Sequence, residues 1–121
     1  VARITCRRVE PIFIEFEDQT VECIINIDAL IIFQEEFGMD DLVKEVGASP
    51  YELGAKLLYS GIKTNRPDFT LDEARVIICS AGSELLGLIT DAFVKCCGNV
   101  GGEEFTKKYL KEIEKLIQKQ Q

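Results

Sequence analysis

Two helix starts and one helix stop fall between Ser49 and Ala81, and no other stretch restricts the fold as tightly. Ser49-Pro50 offers an N-cap followed by the proline best tolerated at a first helical position, and Gly61 stands where a left-handed residue would end that helix. Pro67 forces Arg66 away from helical geometry, so Lys63 to Phe69 reads as loop. Thr70-Leu71-Asp72-Glu73 then opens the next helix as a capping box: the threonine hydroxyl reaches the backbone of Glu73 and the glutamate reaches back.

Upstream the hydrophobic period is different. Ile12, Ile14 and Phe16 alternate with Phe13, Glu15 and Glu17, Asp18-Gln19 reads as a turn, and Val21 to Ile25 resumes with β-branched residues. Arg3 to Val9 is a candidate third strand before Pro11. A hairpin alone is marginal in water, so its apolar face needs helices to lie on.

Everything after Asn26 has helical spacing. Asn26 or Asp28 caps a helix through Leu30, Ile31, Phe33 and Phe37, which Gly38 ends, and Asp40 or Asp41 starts a shorter one through Val46, stopped by Gly47. In the helix from Pro50 to Ser60, Tyr51, Ala55 and Leu58 repeat on one side with Leu57 beside them. From Leu71 onward, Ala74, Ile77, Ile78 and Ala81 share a stripe. Between Ser83 and Cys97 the polar residues Glu84, Asp91 and Lys95 keep to one narrow stripe, while Leu85, Leu86, Leu88, Ile89, Ala92, Phe93, Val94, Cys96 and Cys97 cover most of the circumference. A helix of that kind is central in its domain or partly covered by another chain, and the central position is the first reading. Glycines at 98, 101 and 102 then precede a final amphipathic helix. The fold class predicted is α+β, mainly α: a short N-terminal antiparallel β-hairpin of two or three strands packed on five to six helices. It forms a single domain with a body over 1–97, a glycine hinge over 98–102 and the amphipathic helix over 103–121, which folds back onto the body or swings onto a neighbour.

Composition narrows the function classes. With 121 residues and 46% hydrophobic content, the chain can bury a core without metal or disulfide staples. A net charge of -7 and a pI near 4.6 exclude nucleic acid as an expected partner, because phosphate contacts need clustered Lys and Arg. The apolar runs are too short to span a bilayer, and no charged leader precedes an apolar run, so a cytoplasmic protein without a membrane partner is expected. Histidine is absent, which removes the commonest general base and metal ligand. Cys6, Cys23, Cys79, Cys96 and Cys97 are odd in number and lack C-x-x-C spacing; those in apolar helical stretches read as small core hydrophobes. No catalytic residue, metal site or cofactor is predicted. The glycines of 98–102 lack the G-K-[ST] ending of a phosphate loop, and the neighbours Glu35-Glu36 and Asp40-Asp41 diverge around a helix and cannot face one reacting group.

Element order and short motifs carry a resemblance. An acidic hairpin precedes a helix ending in Phe37-Gly38-Met39-Asp40; Leu57-Leu58-Tyr59-Ser60-Gly61 and a loop to Pro67 follow; Phe69-Thr70-Leu71-Asp72-Glu73-Ala74 opens a helix of Ile and Val residues. From Ile12 to Cys97 this resembles the tail assembly chaperones of long-tailed, siphovirus-type phages and prophages. The N-terminal segment to Glu10 and the five cysteines depart from that pattern. The resemblance implies a non-enzymatic protein of the host bacterial cytoplasm that coats the tape measure protein, keeps it soluble during tail assembly and self-associates into a homo-oligomer. The partner or self-association surface expected on this reading comprises Leu86, Phe93, Phe105, Tyr109, Leu110, Ile113, Leu116 and Ile117. The alternative from charge alone is a small acidic adaptor or inhibitor acting by protein-protein interaction, and an enzyme with a cysteine nucleophile ranks last because no base accompanies it.

Overall fold

The structure is a computed structural model that describes residues 2–5, 8–38 and 49–96. Strand β1 (Ile12–Phe16) and strand β2 (Gln19–Cys23) form an antiparallel hairpin in which Ile12 faces Cys23, Ile14 faces Val21 and Phe16 faces Gln19. Ile14, Val21 and Cys23 are buried on one face, while Phe13 and Glu15 lie on the other. The turn is Glu17-Asp18 and not the expected Asp18-Gln19, because Gln19 is held in register as the partner of Phe16. Glu17 takes a positive φ of 55°, the backbone a two-residue hairpin loop needs at its first position. The sheet has two strands among the described residues. The candidate third strand is absent from the described part of Arg3 to Val9, where Ile4 and Val9 are exposed and no buried face holds the segment against the hairpin.

Four helices follow among the described residues: α1 (Ile27–Phe37), α2 (Pro50–Lys63), α3 (Leu71–Ala81) and α4 (Ser83–Cys96). The shorter helix expected over Asp40 or Asp41 to Val46, the hinge over 98–102 and the terminal helix over 103–121 lie outside the described residues. Asn26 is the cap of α1, its Oδ1 accepting from the N–H of Ala29 at 3.0 Å, and Gly38 ends that helix at φ 80°. Ser49 caps α2 through Glu52 N–H at 3.4 Å. At α3 the hydroxyl of Thr70 accepts from Glu73 N–H at 3.2 Å and donates to the Glu73 carboxylate at 3.1 Å, so the glutamate reaches back to the hydroxyl and not to the backbone. Gly82, at φ 70°, turns the chain through 119° into α4.

The central element is α2, which corrects the expectation that the helix from Ser83 would be central. Leu53, Gly54, Ala55 and every residue from Leu57 to Ile62 are buried, and the hairpin, α1 and α3 all pack on α2. Small residues make this possible. A Cβ on Gly54 would collide with Leu86 Cδ1, and one on Gly61 would lie 2.5 Å from Cys23 Sγ and 2.9 Å from Ile25 Cδ1. Gly61 therefore sits inside α2, which runs on to Lys63, and the glycine serves close approach where a helix stop was expected. Helix α4 buries one ridge, Leu85, Ile89, Phe93 and Cys96, and leaves its other faces half-covered or open. Tyr51 and Ala81, each placed on an apolar stripe by periodicity, are exposed, and so is Ile31.

Candidate interaction surface

Two charged clamps fix the helices against α2. On α3, Arg75 Nε meets both oxygens of Glu52 at 3.2 and 3.1 Å, and its Nη1 reaches Asp72 at 3.0 Å. On the opposite side Lys63 Nζ donates to Glu36 at 2.8 Å and also bonds the Tyr59 hydroxyl, joining α1 to α2. Tyr59 and Phe33 both meet Phe37 edge to face, and Lys56 lies 5.1 Å from the centre of the Phe37 ring. Burial pushes the Tyr59 hydroxyl above its ordinary pKa, and the bonds to Glu36 and Tyr59 raise that of Lys63. Both groups therefore hold their protons at neutral pH, and the cluster acts as a joint between helices.

The thiols divide by burial. Cys23 is fully buried, its Sγ 4.0 Å from the Leu58 carbonyl, and desolvation pushes its pKa up to about 12. Cys96 is buried and raised for the same reason. Cys79 is exposed on α3, contrary to the core position expected for it. Cys6 and Cys97 lie outside the described residues. Among the described residues no group of three or more His, Cys, Asp or Glu could hold a metal ion. No single described helix is long and apolar enough to cross a membrane; α3 and α4 satisfy that test only together, across the 119° bend.

The residues expected to form a partner surface separate in the structure. Phe93 is 2% exposed and belongs to the core, because it continues the Leu85–Ile89 ridge. Leu86 is half-buried, with its Cδ1 against the Gly54 backbone, so it packs α4 on α2. Phe105, Tyr109, Leu110, Ile113, Leu116 and Ile117 lie outside the described residues. Other apolar side chains face outward. Ile27 and Ile31, one turn apart on α1, are 57% and 45% exposed; Val76 on α3 and Leu88 on α4 are exposed too, and Phe13 projects from the outer hairpin face opposite Glu22. The signal for Ile27 and Ile31 was present as an i, i+4 pair outside the Leu30–Phe33–Phe37 ridge. The exposed apolar positions are thus spread over α1, α3, α4 and the outer face of the hairpin among the described residues. Comparison with known proteins finds no family model, no curated protein and no solved structure that matches this chain.

Proposed function

We propose that this protein is a phage or prophage tail assembly chaperone that binds apolar helical stretches of the tape measure protein and keeps them soluble, without catalysis. The observation that carries the reading is the outward presentation of Ile27 and Ile31, Val76 and Leu88 on three different helices of one compact acidic body. Apolar side chains presented this way offer a helical client hydrophobic contact, and the net charge of -7 keeps the assembly soluble. The element order from the hairpin through the Thr70 capping box, which resembles these chaperones, supports the same reading. Self-association into a homo-oligomer in the bacterial cytoplasm belongs to the proposal.

Co-expression with the tape measure protein of the same genome tests it. The expected result is a soluble complex whose recovery is insensitive to salt, because hydrophobic capture is not screened. An insoluble client despite abundant chaperone overturns the proposal. Binding that falls steeply with ionic strength points instead to the acidic adaptor.

A further inference from the structure

One edge of the hairpin has no partner among the described residues. The two-residue loop makes Phe16 and Gln19 a hydrogen-bonded pair, and the antiparallel alternation then points the N–H and C=O groups of Phe13 and Glu15 away from β2. The same alternation sends the Ile24 N–H outward from the opposite edge, where it meets the Gly61 carbonyl at 3.0 Å, so an observed bond fixes the phase. On that side β2 packs on α2. Phe13 and Glu15 are exposed, and no backbone hydrogen bond beyond the hairpin joins them to another described residue. Charge also changes sign along β1. Before it, the exposed Arg3 and Arg8 outweigh Glu10 and have no ion-pair partner among the described residues; after its midpoint come Glu15, Glu17 and Asp18, exposed and equally unpaired. Antiparallel pairing of two such strands sets each basic end toward the other's acidic end.

We propose that β1 pairs antiparallel with β1 of a second copy about a twofold axis through Ile14, joining the two hairpins into one sheet. In this register Phe13 and the other copy's Glu15 exchange both backbone hydrogen bonds. On the inner face Ile14 meets its own equivalent and Ile12 meets Phe16, so the row is apolar throughout. The neighbouring registers fail. Centring on Phe13 sets Glu15 against Pro11, which has no N–H, and centring on Glu15 sets two like charges directly opposite each other. A strand of 5 residues makes a small interface, so the dimer is weak and concentration-dependent. The inference supplies an interface for the self-association in the proposed function and rests on that part alone; client capture is tested separately by co-expression, so the two fail independently.

Sedimentation equilibrium of the full chain, without client and up to about 1 mM, tests it. The parent is expected to form dimers. Glu15→Pro removes only an outward-facing N–H from an edge strand and is expected to weaken dimerisation at least about tenfold. Thr20→Pro makes the same change on the β2 edge and is expected to leave dimerisation unchanged. Phe13→Glu sets a carboxylate opposite Glu15 of the other copy; it is expected to weaken the dimer too, and it decides the outcome if circular dichroism shows Glu15→Pro to be unfolded. A parent that stays monomeric throughout overturns the proposal. So does association that either folded β1 variant leaves at the parent's strength, or that Thr20→Pro weakens equally.

Discussion

The backbone N–H of Ile24 donates to the carbonyl of Gly61 at 3.0 Å, tying the end of the hairpin to the last turn of α2. Carbonyls in a last helical turn lack intrahelical donors, and here a residue just past β2 supplies one, with the Thr64 hydroxyl at 3.2 Å as a second. Strand and helix meet at this point with no side chain between them, so the glycine sets the distance between sheet and helix.

Gly61→Ala is therefore expected to destabilise the protein, by up to about 2 kcal/mol. The helix gains about 1 kcal/mol of intrinsic preference, but overpacking against the buried Cys23 Sγ, Ile25 Cδ1 and the Ile24 carbonyl costs about 1–3 kcal/mol. Gly54→Ala is the control, because its nearest neighbour is the end of the half-buried Leu86 side chain, which can swing aside. Its net effect is expected near zero. Urea unfolding at unchanged m separates the two, and equal stabilities for both variants would refute the account.

Local signals were legible because they are chemically specific. Ser49, Thr70 and Asn26 cap the helices they were read to cap, and the Ile12, Ile14, Phe16 alternation is the hairpin's inner face. The identity of the central helix was hidden. In α2 the buried positions include Gly54, Ser60 and Gly61, which hydropathy does not count as core, while α4 carries more apolar side chains than it buries. Phe93 was misplaced for a related reason: composition marked the helix as apolar all round, whereas the i, i+4 ridge of Leu85, Ile89 and Phe93 decides which side goes inward.

Glu17 offers a second test of backbone geometry. Its φ of 55° places a non-glycine residue in the left-handed region at the first loop position of the hairpin. Glu17→Gly is expected to stabilise the fold by about 0.5–1 kcal/mol, after allowing for the entropy glycine adds to the unfolded chain. Glu17→Val should destabilise it by about 1 kcal/mol or more, since β-branching is worst at positive φ. The order Gly, Glu, Val in thermal stability is the readout, and a Val variant as stable as the parent would contradict the turn geometry.

The cysteines should react in an order set by burial. At mildly alkaline pH, iodoacetamide followed by peptide mass spectrometry is expected to label Cys79 in the folded protein and to leave Cys23 unmodified. A thiol pushed to about 12 from the ordinary 9.0 carries about a thousandfold less thiolate, and steric exclusion adds to that protection. Cys96, buried and raised, should behave like Cys23 and become reactive only with global unfolding in urea. Labelling of Cys23 at the rate of Cys79 in native buffer would show that the β2–α2 contact is open.

Acid should loosen the clamps on α2 from both sides. Burial works to raise the pKa of Glu36, but the hydrogen bonds from Lys63 and Tyr59 outweigh it, so the carboxyl lies below its ordinary 4.5. The Arg75 hydrogen bonds depress Glu52, with a smaller opposing effect from burial. A carboxylate depressed in the folded state binds its proton more readily when unfolded, so its stabilisation is complete above about 4.5 and is lost as pH falls through the folded value. Lys63 and Arg75 are raised, which places the loss of their contributions far into the alkaline range. Stability measured by urea unfolding should thus fall as pH drops below 4.5, and the variant carrying Glu36→Gln and Glu52→Gln should show a flatter curve over that range. Because both carboxylates are partly exposed, added salt should narrow the difference between parent and variant. Parallel pH curves for the two proteins would show that neither ion pair couples proton binding to folding.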